Sequence, residues 1–281
     1  MINTLCVVGA GQMGSGISQV ALQSGYTVRM YDIADEYLAK ARKKIEENFR
    51  KSVEKGRMTA ADTQQCLARL SMSRTLDDLA IGDLIIEAVV EDAATKKEIF
   101  AKLDSICGPD TIFASNTSSI SITDLASSTK RADRFIGMHF FNPVPVMKLL
   151  EITRGLATTD ETLQVAQDVG AKMSKVCVVS KDSPGFIVNR LLDPMLNEAV
   201  LLLDEGGASV EDIDKGMING CNHPMGPLAL CDLVGLDVVL AVMEVLHREY
   251  GDSKYRPAPL LRRMVRAGYL GRKSGRGFYQ Y

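Results

Sequence analysis

Leu5 to Gly14 read LCVVGAGQMG, and this stretch decides the fold class. Its first four residues form a fully apolar run, which is typical of a central parallel strand. A GxGxxG pattern follows at once, then a helical pattern through Gln23 and a second strand, Tyr26 to Tyr31, that is followed by Asp32. The GxGxxG pattern alone is weak, but strand, glycines, helix, strand and acid in this order predict a doubly wound, Rossmann-like fold that binds a dinucleotide.

Each part of this pattern has a physical task. Gly9 permits the tight turn, Gly11 lets backbone approach a pyrophosphate, and Gly14 lets the helix and strand pack closely. The start of the helix supplies free N–H groups for phosphates. Asp32 would accept hydrogen bonds from a ribose with a free 2′-hydroxyl and repel a 2′-phosphate, which favours NAD over NADP. The alternative is a glycine-rich turn that binds nothing.

Polar side chains follow several later strands of the predicted sheet. The remaining predicted strands are Leu84–Val89, Thr111–Ala114, Phe135–His139 and Val176–Val179, and Met147–Ile152 is a further apolar run. Glu91 comes after the first of these, and the run Ser115–Ser119 (SNTSS) after the second. Ligands sit at the carboxyl ends of parallel strands, so these groups are candidates for ligand contacts. The serine run could equally cap the next helix, and both roles are compatible if Ser118 faces the ligand while Ser119 or Ser121 caps the helix.

A helical pair, residues 35–70, is inserted between the second strand and the rest of the sheet. Leu38 to Val53 give its first helix an apolar stripe, and Thr59 with Asp62 resembles a capping box at the start of the second. The opposite face of the first helix is basic: Lys43, Lys44, Arg50, Lys51 and Lys55. This face would suit the phosphates of a large substrate, or it is a solvated helix face.

The segment Gly137 to Ile152 reads GMHFFNPVPVMKLLEI. Its strand delivers His139, two prolines turn the chain, and a second apolar run carries Glu151 in its middle. A buried acid needs a partner, and a carboxylate can fix the tautomer of an imidazole and make it a competent general base. Alternatively, His139 merely ends a strand and Glu151 faces water.

A turn-rich segment, Lys181 to Gly185, predicts a boundary between domains 1–183 and 184–281. Beyond it the pattern is helical throughout, and Asn189 is a polar amide near the start of the first helix that either bonds structurally or contacts substrate. The apolar stretch Leu228 to Leu246 predicts a core or interface helix, too interrupted by acids to span a bilayer. We expect a second subunit to cover part of this apolar domain. The chain's basic end, Gly271 to Tyr279, is expected to be flexible.

Composition excludes several classes of protein. The 281 residues are 46% hydrophobic and 24% charged, as in globular proteins, and the net charge of −2 gives no general attraction to nucleic acid or anionic lipid. Six cysteines without a CxxC pair indicate buried thiols in a reducing compartment. The N-terminus lacks the pattern of a signal peptide. We therefore expect a cytoplasmic protein that binds neither nucleic acid nor membrane, and we predict no metal site.

With these residues in view, the chain resembles the short-chain L-3-hydroxyacyl-CoA dehydrogenases, above all the bacterial 3-hydroxybutyryl-CoA dehydrogenases. The resemblance covers essentially the whole length. It rests on GAGQMGSGI (9–17), EAVVED (87–92), SNTSS (115–119), GMHFFNPVPVMKLLEI (137–152), DSPGFIVNR (182–190), HPMGP (223–227) and LGRKSGRGFY (270–279). It implies NAD-dependent oxidation of a 3-hydroxyacyl-CoA to the 3-oxo thioester, or the reverse, by a homodimer joined through its C-terminal helices.

The resemblance also implies roles for individual residues. His139 would be the general base with Glu151 as its partner, and Ser118 and Asn189 would hydrogen-bond the reacting oxygen or the thioester carbonyl. Lys51 and Lys55 match a CoA-contacting helix more loosely. The positions that match cofactor contacts are Gly9, Ala10, Gly11, Gln12, Met13, Gly14, Asp32, Glu91, Lys96, Asn116, Ser118, Asn142 and Lys273.

Two other functions fit the same fold. One is a Rossmann-type dehydrogenase of a free 3-hydroxy acid, a class that typically uses a lysine in place of the His/Glu pair. The other is a non-catalytic NAD-binding protein, which would be expected to lack at least one of Ser118, His139, Glu151 and Asn189. All four are present. Arg29 near Asp32 leaves some use of NADP open.

Overall fold

A computed structural model describes residues 2–281, and the first of its two compact units, which ends at Ser183, is built on one eight-stranded sheet. The strands lie in the order β3-β2-β1-β4-β5-β6-β7-β8. Neighbours pair in parallel except β6 and β7, which are antiparallel. The strands are β1 Thr4–Val8, β2 Thr27–Tyr31, β3 Leu70–Ser73, β4 Leu84–Glu87, β5 Ile112–Ser115, β6 Phe135–Phe140, β7 Leu149–Arg154 and β8 Val176–Lys181.

Six α-helices accompany this sheet: α1 Gln12–Gln23, α2 Asp35–Glu54, α3 Ala60–Ala68, α4 Ala93–Ile106, α5 Ile122–Ala126 and α6 Asp160–Lys172. The apolar stripe predicted for α2 is buried at Leu38, Ala41, Ile45 and Phe49. The predicted capping box of α3 is present, since the Thr59 side chain accepts from the backbone of Asp62 and the Asp62 side chain accepts from that of Thr59. The fold class predicted from the sequence is confirmed.

Strand β3 was not expected from the sequence. It pairs in parallel with β2 and closes that edge of the sheet. Its four residues, LSMS, include only two apolar side chains and follow α3 without a glycine or proline, so the run is too short and too polar to be recognised as a strand from the sequence. Strand β4 also ends earlier than expected, at Glu87, and its last residue is fully buried.

The second unit, from Pro184 onward, contains five α-helices: α7 Val188–Asp204, α8 Val210–Cys221, α9 Pro227–Val234, α10 Leu236–Tyr250 and α11 Pro259–Arg266. The expectation of one helix over 228–246 was wrong. Gly235 separates α9 from α10, because its φ of +106° is not a helical value. Glycine adopts this conformation readily, whereas residues with a Cβ do not. None of the helices in residues 2–281 is long and apolar enough to cross a membrane.

The basic end of the chain is ordered, so the expectation that it is flexible was wrong. The carboxylate of Asp232, which is 1% exposed, accepts the backbone N–H groups of Phe278 and Tyr279 at 2.9 Å each. Asp214 accepts the Tyr279 hydroxyl at 2.8 Å and also the Leu228 N–H at the start of α9. Two buried acids from other elements therefore fix a segment whose glycine-rich composition indicated mobility.

Candidate active site

The glycine loop joins β1 to α1 with almost no spare room. Gly9 has φ +105°, and a Cβ on Gly14 would lie 1.8 Å from the Gly9 carbonyl oxygen, so both positions require glycine. A Cβ on Gly11 would meet no atom of the described residues within 4 Å. Gly11 is also the N-cap of α1 and provides no side-chain cap. The open backbone at Gly11 fits the close approach of a pyrophosphate to a helix N-terminus.

Asp32, directly after β2, is fixed to this loop. Its Oδ2 accepts the Ala10 N–H at 2.7 Å, while the Gly9 N–H donates to the Tyr31 carbonyl at 2.8 Å. The acid therefore lies beside the glycines, where an adjoining ribose would meet it. Met13 differs from its neighbours because it packs against the buried core.

Glu91 organises the SNTSS loop that follows β5. One of its oxygens, Oε1, accepts the Thr117 hydroxyl at 2.5 Å and the N–H groups of Ser118 and Ser119 at 2.9 and 3.2 Å. The hydroxyls of both serines lie 3.3 Å from the same oxygen. Burial alone would raise the pKa of Glu91, but the Lys96 ammonium and the loop's hydrogen bonds outweigh it and hold that pKa below its usual value. Ser121, not Ser118, caps α5.

A buried ion pair lies beneath Glu91. Lys96 is 1% exposed, and its Nζ donates to Glu87 Oε1 at 2.6 Å and lies 3.2 Å from Glu91 Oε2. Glu87 is fully buried, and its other oxygen accepts the Ser115 hydroxyl at 2.6 Å. The Lys96 ammonium therefore contacts two carboxylates of its own chain.

Two side-chain amides connect the strand ends. The Asn116 Oδ1, after β5, accepts the N–H of Phe140 at the end of β6, at 2.9 Å. The Gln12 Nε2, in the glycine loop, donates to the Asn142 Oδ1 at 2.8 Å. These bonds join the β5 and β6 ends and bring the segment after His139 to the glycine loop.

His139 and Glu151 lie directly opposite each other on the antiparallel pair β6 and β7. The distance from the His139 Nδ1 to the Glu151 Oε2 is 2.7 Å. His139 is 7% exposed and Glu151 is fully buried. The antiparallel register brings together two residues twelve positions apart, as the sequence segment suggested. The edge-strand alternative, with Glu151 facing water, does not hold.

A cleft of about 810 Å³ runs from the glycine loop along α2. One wall contains Ala10, Gly11 and Gln12, and the segment from Asn142 to Val146 also borders it. The α2 side is basic, since Lys51 and Lys55 line the cleft. Three further cations line it: Lys40, Lys44 and Arg57. Lys43 and Arg50 of the predicted basic face lie outside the lining.

Two predicted site residues belong to the second unit. Asn189 is the second residue of α7. Lys273 lies in a short 3-10 helix, Arg272–Ser274, and its Nζ donates to the Asp237 Oδ2 at 2.6 Å.

Sequence reasoning assigned no role to Glu87 and named Thr117 only as part of the SNTSS run. Glu87 accepts the Ser115 hydroxyl, and the Thr117 hydroxyl donates to Glu91. For Glu87 a signal existed, because a lone acid inside an apolar strand pattern needs a partner when buried. For Thr117 no signal existed, because its partner Glu91 follows a different strand. No group of three or more His, Cys, Asp or Glu in residues 2–281 could hold a metal ion.

Two consecutive parts of the chain match known families of protein domains. Residues 4–183 match "3-hydroxyacyl-CoA dehydrogenase, NAD binding domain", and residues 185–281 match "3-hydroxyacyl-CoA dehydrogenase, C-terminal domain". The chain belongs to the 3-hydroxyacyl-CoA dehydrogenase family.

Individual 3-hydroxyacyl-CoA dehydrogenases are similar over their whole lengths. The probable 3-hydroxybutyryl-CoA dehydrogenase of Bacillus subtilis is 52% identical over 280 residues, which cover 100% of this chain and 98% of that protein. The human mitochondrial hydroxyacyl-coenzyme A dehydrogenase is 42% identical over 288 residues, covering 100% and 92%. The crystal structure of (S)-3-hydroxybutyryl-CoA dehydrogenase PaaH1 from Ralstonia eutropha superposes with a TM-score of 0.98 at 52% identity, covering 100% and 99%.

Family membership fixes the general chemistry. The chain is an oxidoreductase that acts on a CH–OH group and uses NAD, and its first unit carries the NAD-binding fold. The glycine loop and Asp32 fit that cofactor by their geometry, as described above.

Proposed function

We propose that the protein interconverts (S)-3-hydroxybutyryl-CoA and acetoacetyl-CoA with NAD, with His139 as general base and acid and Glu151 as its partner. The observation that carries this proposal is the buried 2.7 Å contact between the two side chains. The contact joins β6 to β7. The segment that follows β6 is bonded to the glycine loop through Asn142 and Gln12, and a nicotinamide and a substrate would meet at these strand ends. The names of the full-length relatives support the four-carbon substrate.

His139 moves the proton in this reaction. With Nδ1–H donating to Glu151, Nε2 is the ring nitrogen that takes the proton from the substrate's 3-hydroxyl. The buried Glu151 carboxylate then stabilises the imidazolium. Bound NAD supplies the acceptor for the hydride from carbon 3. In the reverse direction, His139 returns the proton to the oxygen.

Ser118 and Asn189 are proposed to hold the substrate by hydrogen bonds to the reacting oxygen or the thioester carbonyl. Glu91 fixes the Ser118 backbone, because it accepts the Ser118 N–H. The Ser118 hydroxyl has one proton and lies 3.3 Å from the same Glu91 oxygen, so it would turn that proton from Glu91 to the substrate oxygen when substrate binds.

NAD is proposed to lie along the glycine loop with Asp32 at its adenosine ribose. Ala10 N–H already fixes that carboxylate, which would repel a 2′-phosphate. Arg29 does not counteract the repulsion, because its guanidinium bonds Ser71 and the Asp78 carbonyl. NADP should therefore be a poor substitute. The further positions proposed to contact NAD are Glu91, Lys96, Asn116, Ser118, Asn142 and Lys273, with the Lys96 ammonium acting through Glu91.

The basic cleft beside α2 is proposed to hold the phosphates of CoA. Lys51 and Lys55 line it, and strongly charged phosphates are the groups that clustered lysines bind. The cleft begins at the glycine loop, so an acyl-CoA and NAD would approach the same strand ends.

The helical unit, residues 184–281, is proposed to form a homodimer. Several of its large apolar side chains are exposed: Leu191, Leu202, Ile218, Leu233, Val234 and Val238. Apolar surface of this kind is stabilised by a second subunit. Size-exclusion chromatography with light scattering tests the dimer; a monomer at micromolar concentration contradicts it.

Six free cysteines, with Cys221 exposed, support a reducing compartment such as the cytoplasm.

The proposed reaction is tested by acetoacetyl-CoA reduction, followed as loss of absorbance of NADH and, separately, of NADPH. We expect rapid loss with NADH and much slower loss with NADPH. In the reverse direction, 3-hydroxybutyryl-CoA should be oxidised. Free 3-hydroxybutyrate should not, because it lacks the CoA phosphates that the basic cleft is proposed to bind. Turnover of the free acid at a matching rate would instead favour a 3-hydroxy acid dehydrogenase, and no turnover of either would favour a non-catalytic protein.

A further inference from the structure

Among the lysines in residues 2–281, Lys96 is the buried one, and its position is unusual for a stabilising ion pair. Burying an ammonium and a carboxylate costs desolvation energy, and a well-packed apolar pair is often as stable. The Glu87–Lys96 pair nevertheless lies at the strand ends, directly beneath the loop that contains Ser118. The role of the Glu87–Lys96 pair is therefore to be found in the groups that it orients, rather than in its contribution to stability.

Glu87 reaches the SNTSS loop by two routes. In the first, its Oε2 accepts the Ser115 hydroxyl, and the same Ser115 oxygen accepts the Thr117 N–H at 3.2 Å. In the second, its Oε1 holds the Lys96 Nζ, which lies 3.2 Å from Glu91 Oε2. The other Glu91 oxygen accepts the Ser118 N–H.

These contacts form a closed set around the loop. Glu87 Oε1 also accepts the Val89 N–H at 2.7 Å, which fixes the carboxylate in the turn after β4. If Glu87 lost its charge, the Lys96 ammonium would be attracted to Glu91 alone. Glu91 and Ser115, which both bond the loop, would then no longer be fixed by the same carboxylate. A displacement of Ser118 by a fraction of an ångström is enough to weaken a hydrogen bond made in the transition state.

We propose that Glu87 is a positioning residue for the reaction, acting through Lys96, Glu91 and Ser115 to fix the orientation of Ser118. The inference rests on the proposed function, because it assigns Ser118 to the substrate. Glu87 itself is fully buried and contacts neither substrate nor cofactor. Glu87→Gln keeps the shape of the side chain and removes its charge.

The test is a double-mutant cycle of Glu87→Gln and Ser118→Ala in acetoacetyl-CoA reduction by NADH. We expect Glu87→Gln alone to lower kcat by about tenfold or more, the scale of a misplaced catalytic contact. In the Ser118→Ala background the same change should lower kcat less than about twofold, because the group that Glu87 positions is absent. Equal fold-losses in both backgrounds would overturn the proposal, since a general loss of structure acts independently of Ser118.

A matched control separates positioning from stability. Asp104→Asn removes the charge from one side of a different enclosed ion pair, in which Asp104 Oδ1 accepts from Arg131 Nε at 2.6 Å. The other hydrogen bonds of these two side chains go to residues 104–111 and 130, outside the SNTSS loop. Asp104→Asn should lower the thermal midpoint while leaving kcat within about twofold, as expected for a change outside a catalytic network. An equal kcat loss in Asp104→Asn would count against a specific role for Glu87.

A second variant covers the case in which Glu87→Gln does not fold. Ser115→Ala removes the direct route only, and the same cycle with Ser118→Ala should again be non-additive; additive losses would overturn the proposal. Failure of the proposed function is distinguishable, because the unmodified protein would then fail to reduce acetoacetyl-CoA at all. Failure of the inference leaves that activity intact and changes only the additivity.

Discussion

The contact between His139 and Glu151 is short because antiparallel strand pairing places the two side chains directly opposite each other. The two residues are direct partners in the β6–β7 register, and both side chains are enclosed. A carboxylate in such surroundings strengthens its hydrogen bond to the ring and holds one tautomer. The geometry requires only that the strands pair, so it needs no loop to close.

Replacing His139 separates binding from chemistry. His139→Gln should leave NADH affinity nearly unchanged while kcat falls by at least about a hundredfold, the usual contribution of a general base. NADH fluorescence titration measures the affinity. A variant that turns over at the parental rate would remove His139 from the mechanism.

Replacing Glu151 removes the partner and leaves the ring. Glu151→Gln should lower kcat sharply while the fold persists, because a neutral amide stabilises the imidazolium less than a carboxylate does. Stopped-flow reduction of acetoacetyl-CoA measures the rate, and circular dichroism checks the fold. A normal rate in a folded variant would show that the ring works without this partner.

At the scale of elements, the glycine loop contains two glycines with different reasons for being glycine. Gly14 has no room for a Cβ, which would lie 1.8 Å from the Gly9 oxygen, whereas Gly11 has open space and φ −69°. Gly14 is required for packing between strand and helix, whereas the open space at Gly11 is proposed to admit the pyrophosphate of the cofactor.

The two glycines should respond differently to alanine. Gly14→Ala should destabilise the protein by roughly 1–3 kcal/mol or more, the range for overpacking. Gly11→Ala should keep the parental thermal midpoint but weaken NADH binding, because its methyl group would occupy the approach of the pyrophosphate. Differential scanning fluorimetry and NADH titration test both variants; a Gly11→Ala protein with parental affinity would show that the cofactor lies elsewhere.

Helix α2 offers a comparison of cations on one element. Lys51 lines the cleft and Lys43 does not. Lys51→Gln should raise the KM for acetoacetyl-CoA by roughly two- to fivefold, corresponding to about 0.5–1 kcal/mol for an exposed charge contact. Lys43→Gln is the control and should leave KM unchanged. Equal effects of the two substitutions would indicate only the general field of the helix.

Local patterns predicted most elements of this fold and failed where a distant residue decides the structure. The glycine loop, the α3 cap and the strand bearing His139 follow from short-range rules. Strand β3 has too few apolar residues to be recognised and exists because β2 offers it a partner. The ordered chain end depends on Asp232, 46 positions from Phe278. The route from Glu87 to Ser118 crosses three elements and has no signature in the sequence.

At the scale of the whole molecule, a buried acid makes stability depend on pH. Asp193 in α7 is 5% exposed, and burial raises its pKa from 3.8 to about 7. Between these values the folded chain holds a proton that the unfolded chain has released, so the free energy of unfolding falls as pH rises from about 4 to about 7. Above about pH 7, Asp193 is ionised in both the folded and the unfolded chain, so the free energy of unfolding does not fall further through this group.

Asp193→Asn should remove this dependence. The variant should be more stable than the parent at pH 8, by roughly a few kcal/mol if the pKa shift is fully expressed, and nearly equal to it at pH 4, where the native aspartate is protonated. Urea unfolding at the two pH values measures the difference. Asp110→Asn, at a side chain that is 92% exposed, is the control. A stabilisation by Asp193→Asn that is the same at both pH values would argue against titration of Asp193.

The anchoring of the last residues by Asp232 and Asp214 has a consequence for synthesis. Domains generally fold as units while the chain is made from its amino end. The sheet has all its strands by Lys181, but in the helical unit the buried Asp232 acquires backbone donors only from Phe278 and Tyr279, and Asp214 gains the Tyr279 hydroxyl in addition to the Leu228 N–H. Asp232 must therefore remain hydrated until residues 278 and 279 have been synthesised and have folded back onto it, so the packing around this acid is a late step in the folding of the helical unit.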